Sequence, residues 1–325
     1  MKILVAGATG AIGRRLVPLL IDGGHHVVAA TRTPDKLNGL RSAGAEPVLM
    51  DGLDRESVMK AVTTARPDVI VHQMTALASM RNLKNFDDEF ALTNRLRIEG
   101  TRYLVEAALV AGARRFVAQS YTGWPNQRSG GRVKTEADPL DTEPPSTMRK
   151  SLDAIRTLEH IVTSTAGLNG TALRYGSLYG PGTSISATGD IVSMVRQRRF
   201  PVVGSGAGVW SFIHVDDAAR ATQLAIERGA LGVFNIVDDD PAEVSEWLPN
   251  LAQAIGAKPP IRLPAWIGRF AIGDAGVSMM TKMRGSSNAK ARRALGWAPD
   301  YRSWRDGFRR GLSAELPTVK YLQAV

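Results

Sequence analysis

Three glycines stand three residues apart near the start of the sequence, at Gly7, Gly10 and Gly13, within the run GATGAIG. An apolar strand pattern precedes the run and a helical pattern follows it. In this setting the glycines allow a tight turn, let backbone amides approach a pyrophosphate, and let the helix pack on the strand. The positive end of the helix attracts the phosphates. We expect residues 7–13 to bind a dinucleotide, with further contacts from Thr9, Ala11 and Ile12; the alternative is a plain turn between strand and helix.

The second predicted strand ends at Thr31 and Arg32, about 20 residues after the glycines. A dinucleotide without a 2′-phosphate is held at this place by an Asp or Glu that accepts from the ribose hydroxyls. Arg32 can instead form a charge-assisted hydrogen bond to a 2′-phosphate, and Thr31 can add a hydroxyl. The residues favour NADP (NADPH) over NAD, unless Arg32 is an ordinary solvated arginine.

Alternating strand and helix patterns position these residues. Strand patterns lie at 2–6, 27–30, 47–49, 69–72, 115–118 and 171–174, and helical patterns lie at 11–21, from Pro34, from Arg55, and over 86–111 and 148–165. Repeated strand-helix-strand units require a parallel sheet covered on both faces. The sequence therefore predicts an α/β fold with a Rossmann-type, doubly wound parallel sheet.

The alternation weakens beyond Gly182, where we expect a smaller, mixed α/β substrate-binding region. The predicted division is an NADP-binding domain at 1–175, to which 211–237 returns, and a substrate-binding region at 176–210 and 238–325. Residues 121–147 are polar, rich in Gly and Pro, and without a period, which is typical of a long surface loop. Such loops after parallel strands often carry sites.

Composition excludes several classes of protein. The 325 residues are 44% hydrophobic and contain no cysteine, so disorder, disulfides and thiolate chemistry are excluded. The five histidines have no metal-ligand spacing, and we expect no metal. The net charge of +10 comes from scattered residues rather than a patch, so we expect a small-molecule substrate and neither nucleic acid nor membrane as a partner. We expect a cytoplasmic protein, and a homodimer is left open.

Further motifs follow the glycine run in a fixed order. They are Asp51-Gly52-Leu53, Asn94 with Gly100-Thr101, Arg174 to Gly182 (RYGSLYGPG), Phe212 to Asp217 (FIHVDD) and Asn288 to Trp297 (NAKARRALGW). In this order the chain resembles the extended, atypical short-chain dehydrogenases/reductases, also called the NAD-dependent epimerase/dehydratase family. The resemblance covers nearly the whole chain.

The resemblance implies further cofactor contacts. Asp51, Gly52 and Leu53 would hold the adenine, and Tyr175 and Ser177 would border the nicotinamide. The residues implied along the ribose and nicotinamide are Gln73, Met74 and Thr75. Two of these residues have other physical interpretations, since Asp51 could cap the following helix and Tyr175 could fill the core.

One feature of the family is missing. Its usual chemistry needs a tyrosine acid/base and a lysine four residues later on one helix. None of the six tyrosines has a lysine at that spacing, and Ser151 and Ile155 stand at the matching positions. Tyr121, at the end of the fifth strand, is our candidate for the missing phenol, and Ser120 is a candidate hydrogen-bond donor. The alternative for Tyr121 is a packed wall of the pocket.

Two further departures concern the residues expected to bind the substrate. Those relatives have an arginine just before the Phe-Ile-His-Val segment, where this chain has Trp210, and residues 267–283 are largely apolar. Arg269 or Arg284 could fill the role instead. We expect an NADP-dependent oxidoreductase that moves a hydride to or from a small, rather apolar carbonyl or enone. The alternatives are a nucleotide-sugar epimerase/dehydratase and a non-catalytic NADP-sensing protein.

Overall fold

A seven-stranded parallel sheet forms the centre of the protein in a computed structural model that describes residues 1–77 and 83–313. Its strands are β1 (Lys2–Ala6), β2 (His26–Thr31), β3 (Glu46–Leu49), β4 (Val69–His72), β5 (Arg115–Tyr121), β7 (Asn169–Tyr175) and β12 (Gly232–Ile236). Their order is β12-β7-β5-β4-β1-β2-β3, with Leu4 of β1 opposite Val28 of β2 and Ile70 of β4. The order reverses at β1, and ligands of such sheets bind at that switch point, beyond the carboxyl ends of the strands. The predicted fold class is confirmed.

Eight shorter strands lie outside this sheet: β6 (Val133–Lys134), β8 (Ser177–Tyr179), β9 (Val202–Val203), β10 (Val209–Trp210), β11 (Phe212–His214), β13 (Ala242–Glu243), β14 (Arg262–Leu263) and β15 (Gly285–Ser286). They form two-stranded pairs, of which β10 with β13 is antiparallel and β15 with β6 is parallel. The stretch 121–147, predicted as a loop, therefore contains one short strand.

The described helices are α1 (Gly13–Asp22), α2 (Leu37–Ser42), α3 (Arg55–Ala65), α4 (Phe86–Glu89), α5 (Ala91–Arg95), α6 (Thr101–Ala111), α7 (Arg149–Ser164), α8 (Asp190–Arg196), α9 (Val215–Arg228), α10 (Val244–Ala254), α11 (Ala265–Thr281), α12 (Ala289–Leu295) and α13 (Trp304–Arg310). Short 3₁₀ turns cover Pro34–Lys36, Leu83–Asn85 and Ser146–Met148. No helix in the described ranges has the length and apolar character required to cross a membrane.

Strand alternation builds a core on each face of the sheet. Ile3 and Val5 point to the face covered by α1 and α9, and Leu4 and Ala6 point to the face covered by α3, α6 and α7. All four side chains are fully buried. Because both faces are covered, the central strands are mostly apolar on both sides, as expected for a parallel sheet.

The single helix predicted over 86–111 is interrupted. It consists of α4, α5, a π-helical turn at Leu96–Gly100, and α6. Phe90 separates α4 from α5 because its φ of −92° and ψ of 1° leave the α-helical region. The π turn ends with the amide of Thr101 donating to the carbonyls of Leu96 and Ile98. Such turns often occur at functional sites.

A third cluster of buried side chains lies beyond the sheet. It is rich in aromatic residues, including Trp210, Phe212, Trp247 and Trp304, and it also contains Met279 and Met280 of α11. The division into a domain at 1–175 with 211–237, and a region at 176–210 and 238–325, stays a prediction. Residues 314–325 of that division lie outside the described residues.

Candidate functional site

The three glycines of the first turn have different structural roles. Gly7 has a φ of +91°, and a Cβ there would lie 2.7 Å from the backbone carbonyl of Gln73. A Cβ at Gly13 would clash with the carbonyl oxygen of Gly7, so Gly13 allows α1 to pack against the turn. Gly10 is exposed, and a Cβ there would meet only the Gly7 oxygen, at 3.3 Å. Gly7 and Gly13 thus shape the turn, whereas Gly10 borders open space.

The first turn of α1 has amide groups available for an anion. Its N-cap residue is Ile12, and no side chain of the described chain caps it. A helix N-terminus carries unsatisfied N–H groups and a partial positive charge. A phosphate group is the ligand that such an end favours.

The end of β2 lies on the same cavity wall as the glycine turn. Thr31, Arg32, Thr33 and Lys36 line it, and Arg32 and Lys36 are exposed cations. The Oγ1 atom of Thr31 accepts from the amide of Thr33, at 3.2 Å. NAD-binding proteins have a carboxylate near this position, whereas this chain has two positive charges there.

Asp51, Gly52 and Leu53 also line this end of the cavity. The carboxylate of Asp51 accepts from the amide of Leu53 at 3.0 Å, which fixes the turn after β3. The cap of α3 is Asp54, whose Oδ1 atom accepts from the amides of Glu56 and Ser57. The interpretation of Asp51 as the cap of this helix is therefore wrong, because Asp54 occupies that place.

Gln73, Met74 and Thr75 follow β4 and line the middle of the cavity. The side-chain amide nitrogen of Gln73 donates to the Tyr175 hydroxyl at 3.0 Å, and that hydroxyl lies 2.6 Å from the Thr222 hydroxyl. Burial raises the pKa of Tyr175 to about 12. Its ring fills the core and also borders the cavity, and its place beside the nicotinamide stays a prediction.

The side-chain oxygen of Gln73 has no partner among the described residues. Gln73 is 5% exposed, and its Oε1 atom is buried without a hydrogen bond. A buried polar atom without a partner costs about 1–3 kcal/mol. This orphaned acceptor, the uncapped helix end and the open space at Gly10 fit a bound dinucleotide.

Tyr121 and Ser177 meet across the cavity. The Tyr121 hydroxyl lies 3.1 Å from the Ser177 Oγ atom, and the Tyr121 ring stacks with Trp124 at a centroid distance of 6.2 Å. Burial raises the pKa of Tyr121, while the Ser177 hydrogen bond and the Arg97 charge oppose the rise. The phenol therefore stays protonated at neutral pH and can donate its proton.

Ser120 lies on the other face of β5 and does not line the cavity. It is 2% exposed, and its hydroxyl donates to Glu159 at 2.6 Å. Arg174 binds both oxygens of the same carboxylate, each at 2.7 Å. The structure thus separates the two sequence candidates and brings only Tyr121 to the cavity.

The positions of the usual tyrosine and lysine hold no acid or cation. Ser151 is fully buried, and its hydroxyl donates to Asp87 at 2.6 Å and accepts from Asn94 at 2.9 Å. Ile155 is fully buried in the aromatic cluster. These two positions therefore supply neither a proton donor nor a cation to the cavity.

Arg97 is a cavity residue that the sequence interpretation missed. It lies on the π turn, is 6% exposed, and lines the cavity. Burial lowers the pKa of Arg97 to about 10, although Glu159 and Tyr121 oppose the change. His72 supports the turn, since its Nε2 atom lies 3.2 Å from the Leu96 carbonyl and its burial lowers the pKa to about 4. In the sequence, the only sign of this cavity residue is that an arginine occurs within the helical run 86–111.

The far half of the cavity is mostly apolar. The whole cavity has a volume of about 890 Å³, within the range of ligand sites. Its apolar wall includes Phe86, Phe90, Trp124, Trp210, Ile272, Met279, Met280 and Met283. The indole of Trp210 donates to the Met279 carbonyl at 3.1 Å, which fixes the ring.

Arg269 and Arg284 do not take the role of the missing arginine. Arg269 pairs with Asp274 on the surface, and Arg284 donates to the Arg128 carbonyl at 2.8 Å. Neither residue lines the cavity. The described residues also contain no cluster of three or more His, Asp or Glu side chains suited to a metal ion.

Comparisons with known proteins agree with this geometry. Residues 3–236 match the model of the NAD dependent epimerase/dehydratase family. The chain is 44% identical over 312 residues to the 3-diazoavenalumate denitrifying reductase of Streptomyces, and the match covers 95% of this chain and 100% of that protein.

Two solved structures illustrate the shared fold. The Thermus thermophilus UDP-glucose 4-epimerase in complex with NAD has a TM-score of 0.73 at 24% identity, and the match covers 96% of this chain and 98% of that chain. A human epimerase family protein with NADPH has a TM-score of 0.73 at 20% identity, with coverage of 97% and 100%. The family match and the reductase relative support an NAD(P)-dependent oxidoreductase, and the resemblance found in the sequence is confirmed. The chain belongs to the NAD dependent epimerase/dehydratase family, within the extended short-chain dehydrogenases/reductases.

Proposed function

We propose that the protein is an NADPH-dependent reductase that transfers a hydride to a carbonyl or enone of a small, largely apolar substrate. One observation supports this most directly. A single cavity joins the uncapped end of α1 and the cations after β2 to an apolar half in which the Tyr121 hydroxyl lies. The cavity thus has one polar half for a phosphate-bearing cofactor and one apolar half for a substrate.

The residues suited to hold the cofactor follow the cavity in sequence order. The turn at 7–13 would hold the pyrophosphate, and Asp51, Gly52 and Leu53 the adenine. The unpaired Oε1 atom of Gln73 would accept a hydrogen bond from the cofactor. Met74, Thr75, Tyr175 and Ser177 would line the cofactor at the same place. When bound, a reduced nicotinamide supplies the hydride, which the protein itself cannot do.

The preference for NADPH rests on Arg32 and Lys36. Both are exposed cations on the cavity wall, and neither forms an ion pair with another described residue. Thr31 and Thr33 line the same wall. A 2′-phosphate would form charge-assisted hydrogen bonds there, whereas the hydroxyl of NAD would gain little.

Arg32→Glu tests this preference. Because the change exchanges an attraction for a repulsion at the 2′-phosphate, we expect NADPH affinity to fall at least tenfold relative to NADH affinity. Arg41→Glu is the matched control, since Arg41 is bonded to Asn38 and does not line the cavity. Fluorescence titration with both cofactors gives the ratio. A wild-type protein that binds NADH more tightly would contradict the assignment.

Tyr121 is the proposed proton donor. In carbonyl reduction the hydride adds to carbon and a proton adds to oxygen, so the protein must supply or conduct one proton. The Tyr121 hydroxyl is held by Ser177 in the cavity and keeps its proton because burial raises its pKa. After transfer, solvent would return the proton to Tyr121. Ser120 is disfavoured because its hydroxyl is directed to Glu159.

A second substrate class is favoured by the reductase relative and by the missing acid pair. The name of that relative describes the removal of nitrogen from a diazo compound. For an aryl diazonium ion, addition of a hydride to the terminal nitrogen gives an aryldiazene, whose N–H proton replaces N₂ on the ring. Atoms and charge balance without an external proton. Such a reaction has no need of the usual Tyr and Lys.

A nucleotide-sugar epimerase and a non-catalytic sensor would each behave differently from a reductase. The epimerase would bind a sugar diphosphate, but the cavity residues at Trp210 and along α11 are apolar. The sensor would bind NADPH and never oxidise it.

A cytoplasmic location and a homodimer stay predictions, and light scattering of the purified protein would test the second.

A further inference from the structure

Arg97 is a buried cation without a carboxylate partner in the described part of the chain. It is 6% exposed, and its one hydrogen bond goes from Nη1 to the neutral Oδ1 atom of Asn94, at 3.2 Å. It takes part in none of the ion pairs formed within residues 1–77 and 83–313. A guanidinium has five N–H donors, so most of its donors are available.

Glu159 does not neutralise Arg97. This carboxylate is the buried acid whose charge acts on Arg97, but Arg174 binds both of its oxygens and Ser120 donates to one of them. Glu159 and Arg174 already form a complete ion pair. Glu159 does not line the cavity, and the two described acids that do, Asp51 and Asp190, are exposed and form no ion pair with Arg97.

The surroundings of Arg97 are apolar and aromatic. Its guanidinium carbon lies 5.9 Å from the centre of the Phe90 ring, and Phe90 stacks on Phe86 at 4.3 Å. Trp124 packs edge-on against Phe86 at 5.1 Å. A charge in such surroundings is costly unless it is paired, so the free protein holds a cation that a bound anion would stabilise.

We propose that the apolar half of the cavity binds a small carboxylic acid with an aromatic or other planar apolar body, and that Arg97 binds its carboxylate. This inference rests on the proposed function and names its substrate class. The planar fork of the guanidinium matches a carboxylate with two parallel hydrogen bonds. Arg97 and Tyr121 line the same cavity, so a substrate held there would present its carboxylate to Arg97 and its reacting group to Tyr121.

The test compares (E)-cinnamate with its neutral isostere (E)-cinnamamide as probes. Calorimetric titration of the full chain, with and without NADP⁺, gives both dissociation constants. We expect wild type to bind the carboxylate at least tenfold more tightly than the amide. Arg97→Gln should abolish the preference, and Arg97→Lys should keep part of it because the charge stays and the fork is lost. Arg199→Gln is the control, since Arg199 is an exposed cation on the same cavity wall.

A structural role for Arg97 gives a different result. If Arg97 only supports the π turn, Arg97→Gln should lower the melting temperature and leave the ratio of the two dissociation constants as in wild type. If it binds a ligand, the free variant should melt at or above the wild-type temperature because an unpaired buried charge is gone. Equal binding of the two probes by wild type, no measurable binding of cinnamate, or a preference retained in Arg97→Gln would overturn the proposal. Failure of NADPH to bind would instead overturn the proposed function. The two failures can be distinguished because the titration without NADP⁺ measures carboxylate binding in the absence of the cofactor.

Discussion

Replacement of Tyr121 by phenylalanine is expected to lower turnover with a carbonyl acceptor by about 10² to 10⁴. The change keeps the ring, its stacking on Trp124 and its place in the cavity wall, and removes only the hydroxyl that meets Ser177. Binding of NADPH should hardly change. Steady-state rates with saturating NADPH, together with a cofactor titration, separate the two effects.

Ser120→Ala is the comparison for this variant. It removes a hydroxyl from the opposite face of β5, so that Glu159 loses one of its hydrogen-bond donors. We expect the free energy of unfolding to fall by about 1–3 kcal/mol. Turnover per folded molecule should be unchanged. Full carbonyl turnover in Tyr121→Phe would show that Tyr121 is only a wall of the pocket. With an aryl diazonium acceptor, Tyr121→Phe should lose less than about tenfold, because that reaction consumes no proton.

Gly10→Val is expected to weaken NADPH binding by well over tenfold while the fold survives. A Cβ at Gly10 would meet only the Gly7 oxygen, at 3.3 Å, a tight contact that a backbone shift of a few tenths of an ångström would relieve. The valine would occupy the space through which a pyrophosphate reaches the first turn of α1, and its bulk would prevent the close approach of the phosphates. The dissociation constant and the melting temperature are the measurements.

Gly39→Val is the matched control for Gly10→Val. A Cβ at Gly39 would meet nothing within 4 Å, and Gly39 is exposed on α2, away from the cavity. Its NADPH affinity should equal that of wild type. An unchanged affinity in Gly10→Val would remove the glycine turn from the binding site, whereas an unfolded Gly10→Val would show that the turn has no room for a side chain.

The central sheet could be predicted because its strands are buried on both faces. Runs such as 2–6 and 69–72 are almost wholly apolar, and glycine turns or helical patterns separate them, so the strand-helix alternation is visible in the sequence. The interruption of the helix at 86–111 was not predicted. Phe90 and the residues of the π turn do not break the apolar period, and the backbone change at these points depends on tertiary packing.

The polar half of the site was easier to predict than the apolar half. The residues predicted for the cofactor at 7, 9–12, 31, 32, 51–53, 73–75, 175 and 177 lie on the cavity wall, because they follow the carboxyl ends of parallel strands. Gly13 does not, since it packs under the turn. The period of two along β5 could have separated Ser120 from Tyr121. Arg97 could not be found, because nothing in the sequence shows that a basic residue on a long helix is buried without an acid.

The most direct test of the proposed reductase follows the hydride itself. NADPH deuterated at C4 of the nicotinamide, and NADH labelled in the same way, are incubated with the protein and a panel of carbonyl, enone and aryl diazonium acceptors. Mass spectrometry of the products then locates the label. We expect NADPH to be oxidised faster than NADH, with one deuterium per turnover in the reduced product. Tight binding of NADPH with no oxidation and no labelled product across the panel would contradict the account and identify a protein that binds the cofactor without using it.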